Sequence, residues 1–250
     1  MTIDRRTLLA MGPLSAAAIA SAAFARGMPA ADRLSIRPLT QKDLNMTIEY
    51  PAANTALLIV DPYNDFATPG GKLYDAIKDT AAASGMFDNF RKLLPKVRSQ
   101  GIQVFIVPHH HWHEGNYEHW QQLTALQDAS NKGKVFETGS WGGEFNPEFG
   151  PQKGDVIVTE HWAQSGFANT DLDMQLKQHA IRKIVLVGFV ANTCIESTGR
   201  YGMELGYHVT LIKDATAAFS AEGMHAAHVV NGPTFAHAIL TTDEFVTKLG

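Results

Sequence analysis

The chain has 250 residues, 45% of them hydrophobic and 18% charged, enough for one ordinary globular core and too little for two comfortable ones. A formal charge of -4, with no run of Lys and Arg to mark a local exception, leaves no basic excess to neutralise phosphates and argues against nucleic acid as a partner. The single cysteine, Cys194, excludes an intramolecular disulfide, so stability has to come from packing.

In chain order, residues 1–25 read as an export signal. Arg5-Arg6 precedes a mild, Ala-rich apolar stretch that ends in Ala23-Phe24-Ala25, a pattern suited to the twin-arginine route with cleavage after Ala25. The stretch is shorter than the ~20 residues that span a bilayer. The expected location is therefore periplasmic or secreted, with no membrane association after cleavage. Residues 26–51 form a polar, Pro-containing arm, and residues 52–250 the folded domain. There, short β-branched runs alternate with helical spacing, which predicts an α/β domain with a parallel sheet covered on both faces. The strands are expected at residues 56–60, 104–107, 156–158, 184–187, 209–212 and 238–240. Between the first two, Met86, Phe87, Phe90, Leu93, Leu94 and Val97 fall on one helical stripe. The polar stretch 109–153 reads as helix plus loops. A further helix is expected from Thr193 to Leu205, stopped by Gly206.

Cys194 follows a buried strand and the turn Gly188-Phe189-Val190-Ala191-Asn192. Thr193-Cys194-Ile195-Glu196 has the spacing of a capping box, which places the sulfur in the first turn of a helix. Helix N–H groups and the positive end of the dipole there favour thiolate and could hold an oxyanion. Asp61 ends the first strand, at the carboxyl edge where open α/β sheets gather their sites, and could take the thiol proton. On its own each feature has a plain reading, a buried thiol and a turn-capping carboxylate; together they point to nucleophilic chemistry.

Four landmarks in order carry a resemblance to the isochorismatase-like hydrolase family. They are Asp61 with Asn64-Asp65-Phe66, Ser165-Gly166-Phe167 with Thr170-Asp171-Leu172, the run from Gly188 to Cys194 with Thr198, and Gly206-Tyr207 leading to Asp214-Ala215. The resemblance covers about residues 52–245. It implies a three-layer, doubly wound, six-stranded parallel sheet of order 3-2-1-4-5-6 and a cysteine hydrolase acting on a small amide or related C–N bond through a thioacyl-enzyme. It also implies a cis peptide in the nucleophile loop, assigned to Val190–Ala191, with the N–H groups of Ala191 and Cys194 as oxyanion donors. Family members usually form homo-oligomers.

The family triad is Asp, Lys and Cys, and no Lys stands at the third position. Counting from the strand start places Glu160 there; counting back from Phe167 places His161, which could supply an imidazolium. Glu160 is taken as catalytic beside Asp61 and Cys194, with His161 as a substrate contact. Phe66, Trp141, Trp162 and Phe167 are expected to wall the substrate pocket. The cluster His109-His110-His111-Trp112-His113, with His119, invites a metal reading, but no Asp accompanies it and adjacent side chains diverge. No metal and no other cofactor is expected. Two alternatives stand beside the hydrolase: an inactive exported binding protein on the same fold, and a metal-dependent nicotinamidase.

Overall fold

The computed structural model describes residues 48–250. The signal expected at 1–25 and the arm up to residue 47 lie outside the described residues. The last residues of that arm belong to the folded body: Tyr50 is buried edge-on against Phe245, and its hydroxyl shares a 2.9 Å hydrogen bond with Thr210.

Six parallel strands form one sheet in the order 3-2-1-4-5-6, as the resemblance implied. They are β1 (Thr55–Val60), β2 (Gln103–Val107), β3 (Val156–Ile157), β4 (Lys183–Phe189), β5 (His208–Ala217) and β6 (Ala238–Leu240). β1 is buried at every position and β4 at all but its first residue, because helices cover both faces. Alternate residues serve opposite layers. Leu57 and Ile59 of β1 with Val185 and Val187 of β4 pack with Phe90, Leu93, Ile77 and Phe245. Ala56, Leu58, Val60, Ile184 and Leu186 pack on the other side with Leu172, Leu176, Ile195 and Phe235.

The helices are α1 (Asn64–Ala67), α2 (Tyr74–Ser84), α3 (Met86–Ser99), α4 (Ala125–Gly133), α5 (Leu172–Gln178), α6 (Glu196–Glu204), α7 (Ala221–His225) and α8 (Thr242–Lys248). In α3 the expected stripe is buried at Met86, Phe90, Leu93, Leu94 and Val97. The helix α4, opened by a capping box between Thr124 and Gln127, has no fully buried residue. That explains the weak periodicity of its segment. No helix among the described residues is long and apolar enough to cross a membrane.

β4 pairs with Val60 of β1 at Gly188, whose φ of 115° suits glycine and whose absent Cβ would lie 2.2 Å from the Val60 carbonyl oxygen. Gly188→Ala is expected to cost about 3 kcal/mol or more. The thermal midpoint should drop by roughly 6–12 °C, a loss that a melting curve would read directly.

Candidate active site

The carboxyl edge of β1, β4 and the extension of β3 brings three side chains together. Among the described residues, Asp61, His161 and Cys194 form a group whose candidate ligating atoms all lie within 4.8 Å of one another. Asp61 follows β1 directly, and its N–H donates to the Val107 carbonyl of β2 (3.1 Å). Its φ of 56° is left-handed, a conformation that Asp tolerates better than most residues, and the chain turns sharply there. Only 1% of Asp61 is exposed.

Cys194 lies in the turn that links β4 to α6. The helix expected from Thr193 in fact begins earlier, as a wide turn over Ala191–Ile195 in which the Ile195 N–H reaches back to the Val190 carbonyl (3.2 Å). Thr193 therefore sits inside the turn, and the expected capping box does not form; the Glu196 carboxylate instead accepts from Arg200 and Asn231. The cis peptide joins Phe189 and Val190, one bond before the expected Val190–Ala191. β4 still pairs with β5 at Phe189, so the cis bond stands at the strand's last residue. The run of landmark residues locates the loop but does not distinguish the two bonds.

The sulfur is a thiol at rest. Burial pushes its pKa well above the ordinary thiol range and the charge of Asp61 adds to this; the Thr193 hydroxyl and a Val190 backbone contact oppose it. The expected bias toward thiolate is thus outweighed: a wide turn at a helix mouth offers less than desolvation and a neighbouring carboxylate remove. Iodoacetamide is expected to modify Cys194 more slowly than free cysteine at neutral pH. The rate should still climb above pH 9.0, which a pH series of alkylation followed by mass spectrometry would measure.

His161, not Glu160, stands against Asp61. Beyond β3 the chain stays extended and rejoins the end of β2, with His110 N–H to His161 O and His161 N–H to Pro108 O, both 2.9 Å. Adjacent side chains in such a segment face opposite ways, so only one of the pair can reach Asp61. His161, fully buried, places Nε2 3.0 Å from Asp61 Oδ1 and Nδ1 3.1 Å from the Ala163 carbonyl. The carbonyl only accepts, so Nδ1 carries hydrogen; a second proton is held between Nε2 and the carboxylate.

Glu160 turns the other way and binds His111, accepting from its backbone N–H (3.0 Å) and pairing with Nδ1 (2.5 Å). Burial would push the Glu160 pKa up, but the His111 hydrogen bonds outweigh it and hold it below the usual carboxylate value, while the same bond raises His111. The pair lines a separate basin of about 530 Å³ with His110, His113 and Trp162.

Asp61 and Cys194 open into a cavity of about 380 Å³. Of the expected walls, only Phe66 lines it, stacked on Phe189 with ring centroids 4.8 Å apart. Trp162 stacks on His110 (4.1 Å) in the other basin. Phe167 is core, stacked on Tyr207. Trp141 is half exposed, and it is its carbonyl that takes the Asn64 side-chain N–H. Aromatic character alone did not distinguish wall from core from surface. The walls that sequence reasoning missed are Leu73, Tyr117, Leu126, Val135, Phe136 and Phe219, with the polar Thr124, Gln127, Ser130 and Gln164. The Thr124-Ala125-Leu126-Gln127 capping box was the one signal in that segment that could have located α4.

The histidine cluster disperses. His109 borders the cavity, and burial, followed by the neighbouring His161, lowers its pKa to about 4, so it is neutral. His110 meets the Tyr117 hydroxyl (3.0 Å), His111 pairs with Glu160, and His113 meets Asn116 (2.8 Å). Rings paired separately in this way do not converge on one ion, which fits poorly with a metal held by this cluster.

Residues 55–244 match the isochorismatase domain family. A ureidoacrylate amidohydrolase RutB from Variovorax paradoxus is 30% identical over 231 residues, 88% of each chain. The RutB of Caulobacter segnis is 33% identical over 207 residues, covering 78% of this chain and 86% of that one. Among solved structures, a cysteine hydrolase from Pseudomonas syringae pv. phaseolicola superposes with a TM-score of 0.67 at 27% identity, covering 81% and 96% of the two chains. The N-carbamoylsarcosine amidase of Thermoplasma acidophilum gives 0.56 at 26% identity, covering 76% and 97%.

Proposed function

Because this chain belongs to the isochorismatase family of hydrolases, we propose that it hydrolyses the C–N bond of a small neutral amide, with Cys194 as nucleophile. The observation that carries the reading is a thiol within 4.8 Å of a buried carboxylate, both lining one accessible cavity. Relatives named as amidohydrolases support the reaction class.

In the proposed cycle, Asp61 takes the Cys194 proton as sulfur attacks the carbonyl carbon. A thiol proton moves only when its acceptor is already in place, so resting inertness and catalytic competence are compatible. The N–H groups of Ala191 and Cys194 receive the oxyanion. The C–N bond breaks, Asp61 returns its proton to the departing nitrogen, and a thioester remains. Water then loses a proton to Asp61, attacks the thioester and releases the acid, and the sulfur regains its hydrogen. His161 holds the carboxylate in position, at the place an ammonium occupies in the family pattern.

The cavity walls suggest what enters. Among the described residues lining it there is no Lys or Arg, Asp61 is the one acidic group, and His109 is neutral. A substrate carboxylate, such as the one ureidoacrylate carries, would find no cationic partner there and would face Asp61. Apolar walls with Thr124, Gln127, Ser130 and Gln164 suit an uncharged amide with an apolar body. A panel pairing neutral primary amides and N-carbamoyl amines with their carboxylate-bearing counterparts tests this. Neutral members should show the higher kcat/KM; preference for the acids would overturn the substrate class, and binding without any turnover would favour the inactive binding protein.

Export by the twin-arginine route, read from Arg5-Arg6 and Ala23-Phe24-Ala25, completes the proposal together with assembly into a homo-oligomer. It would place the hydrolase in the periplasm or outside the cell.

A further inference from the structure

We infer that Asp61, His161 and Cys194 also form a three-ligand site for a thiophilic divalent cation such as Zn²⁺, and that occupancy reversibly silences the thiol. The three residues offer one oxygen, one nitrogen and one sulfur within 4.8 Å of one another, the donor types that zinc takes. All three are buried or nearly so, so their preorganisation costs little further side-chain entropy. An ammonium in place of His161 would repel a cation; an imidazole binds one.

A second observation points the same way. His161 gives Nδ1–H to the Ala163 carbonyl, the outer contact that typically fixes the tautomer and aims Nε2 at a metal. Asp61 and Cys194 face the cavity, so the cation has a route in and a face left for water. Binding forms Zn–S, Zn–N and Zn–O bonds and breaks no covalent bond other than those to hydrogen. The thiol proton and the proton shared by Nε2 and the carboxylate leave to solvent, and no oxidation occurs. With its lone pair on zinc and Asp61 coordinated, the sulfur can no longer attack a carbonyl.

The silencing rests on the hydrolase reading; the binding does not, and the test keeps them apart. Full-length protein, stripped with chelator and kept reduced, is dialysed against Zn²⁺ alone and its metal content measured. Wild type is expected to hold close to one zinc per chain. Cys194→Ala and His161→Gln should each weaken binding by about tenfold or more, while Glu160→Gln, in the neighbouring basin, should not. On wild-type protein, needing no variant to fold, zinc should slow iodoacetamide modification of Cys194 by about tenfold or more and chelator should restore it. Zinc uptake unchanged by both substitutions, or alkylation indifferent to zinc at saturating occupancy, would overturn the site. If the site binds zinc as expected in a protein that turns over no amide, the metal inference stands and the hydrolase reading falls.

Discussion

Cys194→Ala is expected to lower turnover of the best neutral amide by about 10⁴-fold or more, because the chain has no second cysteine to replace it. Substrate affinity should change little, since the apolar walls are untouched. Steady-state kinetics on wild type and variant, with mass spectrometry to trap the thioester on wild type alone, would measure both effects. Equal kcat in the two proteins would remove sulfur from the chemistry. Asp61→Asn should fall in the same direction by about 10²- to 10⁴-fold, because the amide side chain can neither accept the thiol proton nor return one to nitrogen.

The second large effect separates two neighbouring residues. His161→Gln is expected to lower kcat by about 10²-fold or more, as Asp61 loses the group that orients it. Glu160→Gln should stay within about fivefold of wild type, since its carboxylate serves His111 on the far side of the segment. It has its own signature: the His111 pKa, raised chiefly by the Glu160 hydrogen bond, should fall when that acceptor loses its charge, which an NMR titration of the ring would follow. A large kcat loss in Glu160→Gln with none in His161→Gln would reverse the assignment.

The architecture was legible because it rests on the coarsest signals. Continuous β-branched runs at β1 and β4 can be little else than central strands buried on both sides, and their spacing left room for one helix or more between neighbours. The meeting of Asp61 and Cys194 was legible for a related reason: both stand within a few residues of a strand end, where the direction of the chain is known. Accuracy declined with distance from such anchors. β3 is two residues long, so a count forward from it and a count back from Phe167 disagreed by one, and one residue decides which way a side chain points. The walls contributed by α4 were hidden, since a helix with no fully buried residue leaves no apolar stripe to read. The thiol's raised pKa depends on depth of burial and the nearness of Asp61, neither of which local sequence encodes.

The extended segment behind β3 bears on how the third position could change in evolution. Because successive side chains there alternate in direction, losing or gaining a single residue before Ala163 would rotate a different functional group toward Asp61, while a change of two would preserve the facing residue type's parity. A one-residue indel is thus a route to a new proton inventory that needs no substitution in the cavity. Homologues that differ in length by one between Val158 and Ala163 should differ also in which chemistry faces the carboxylate.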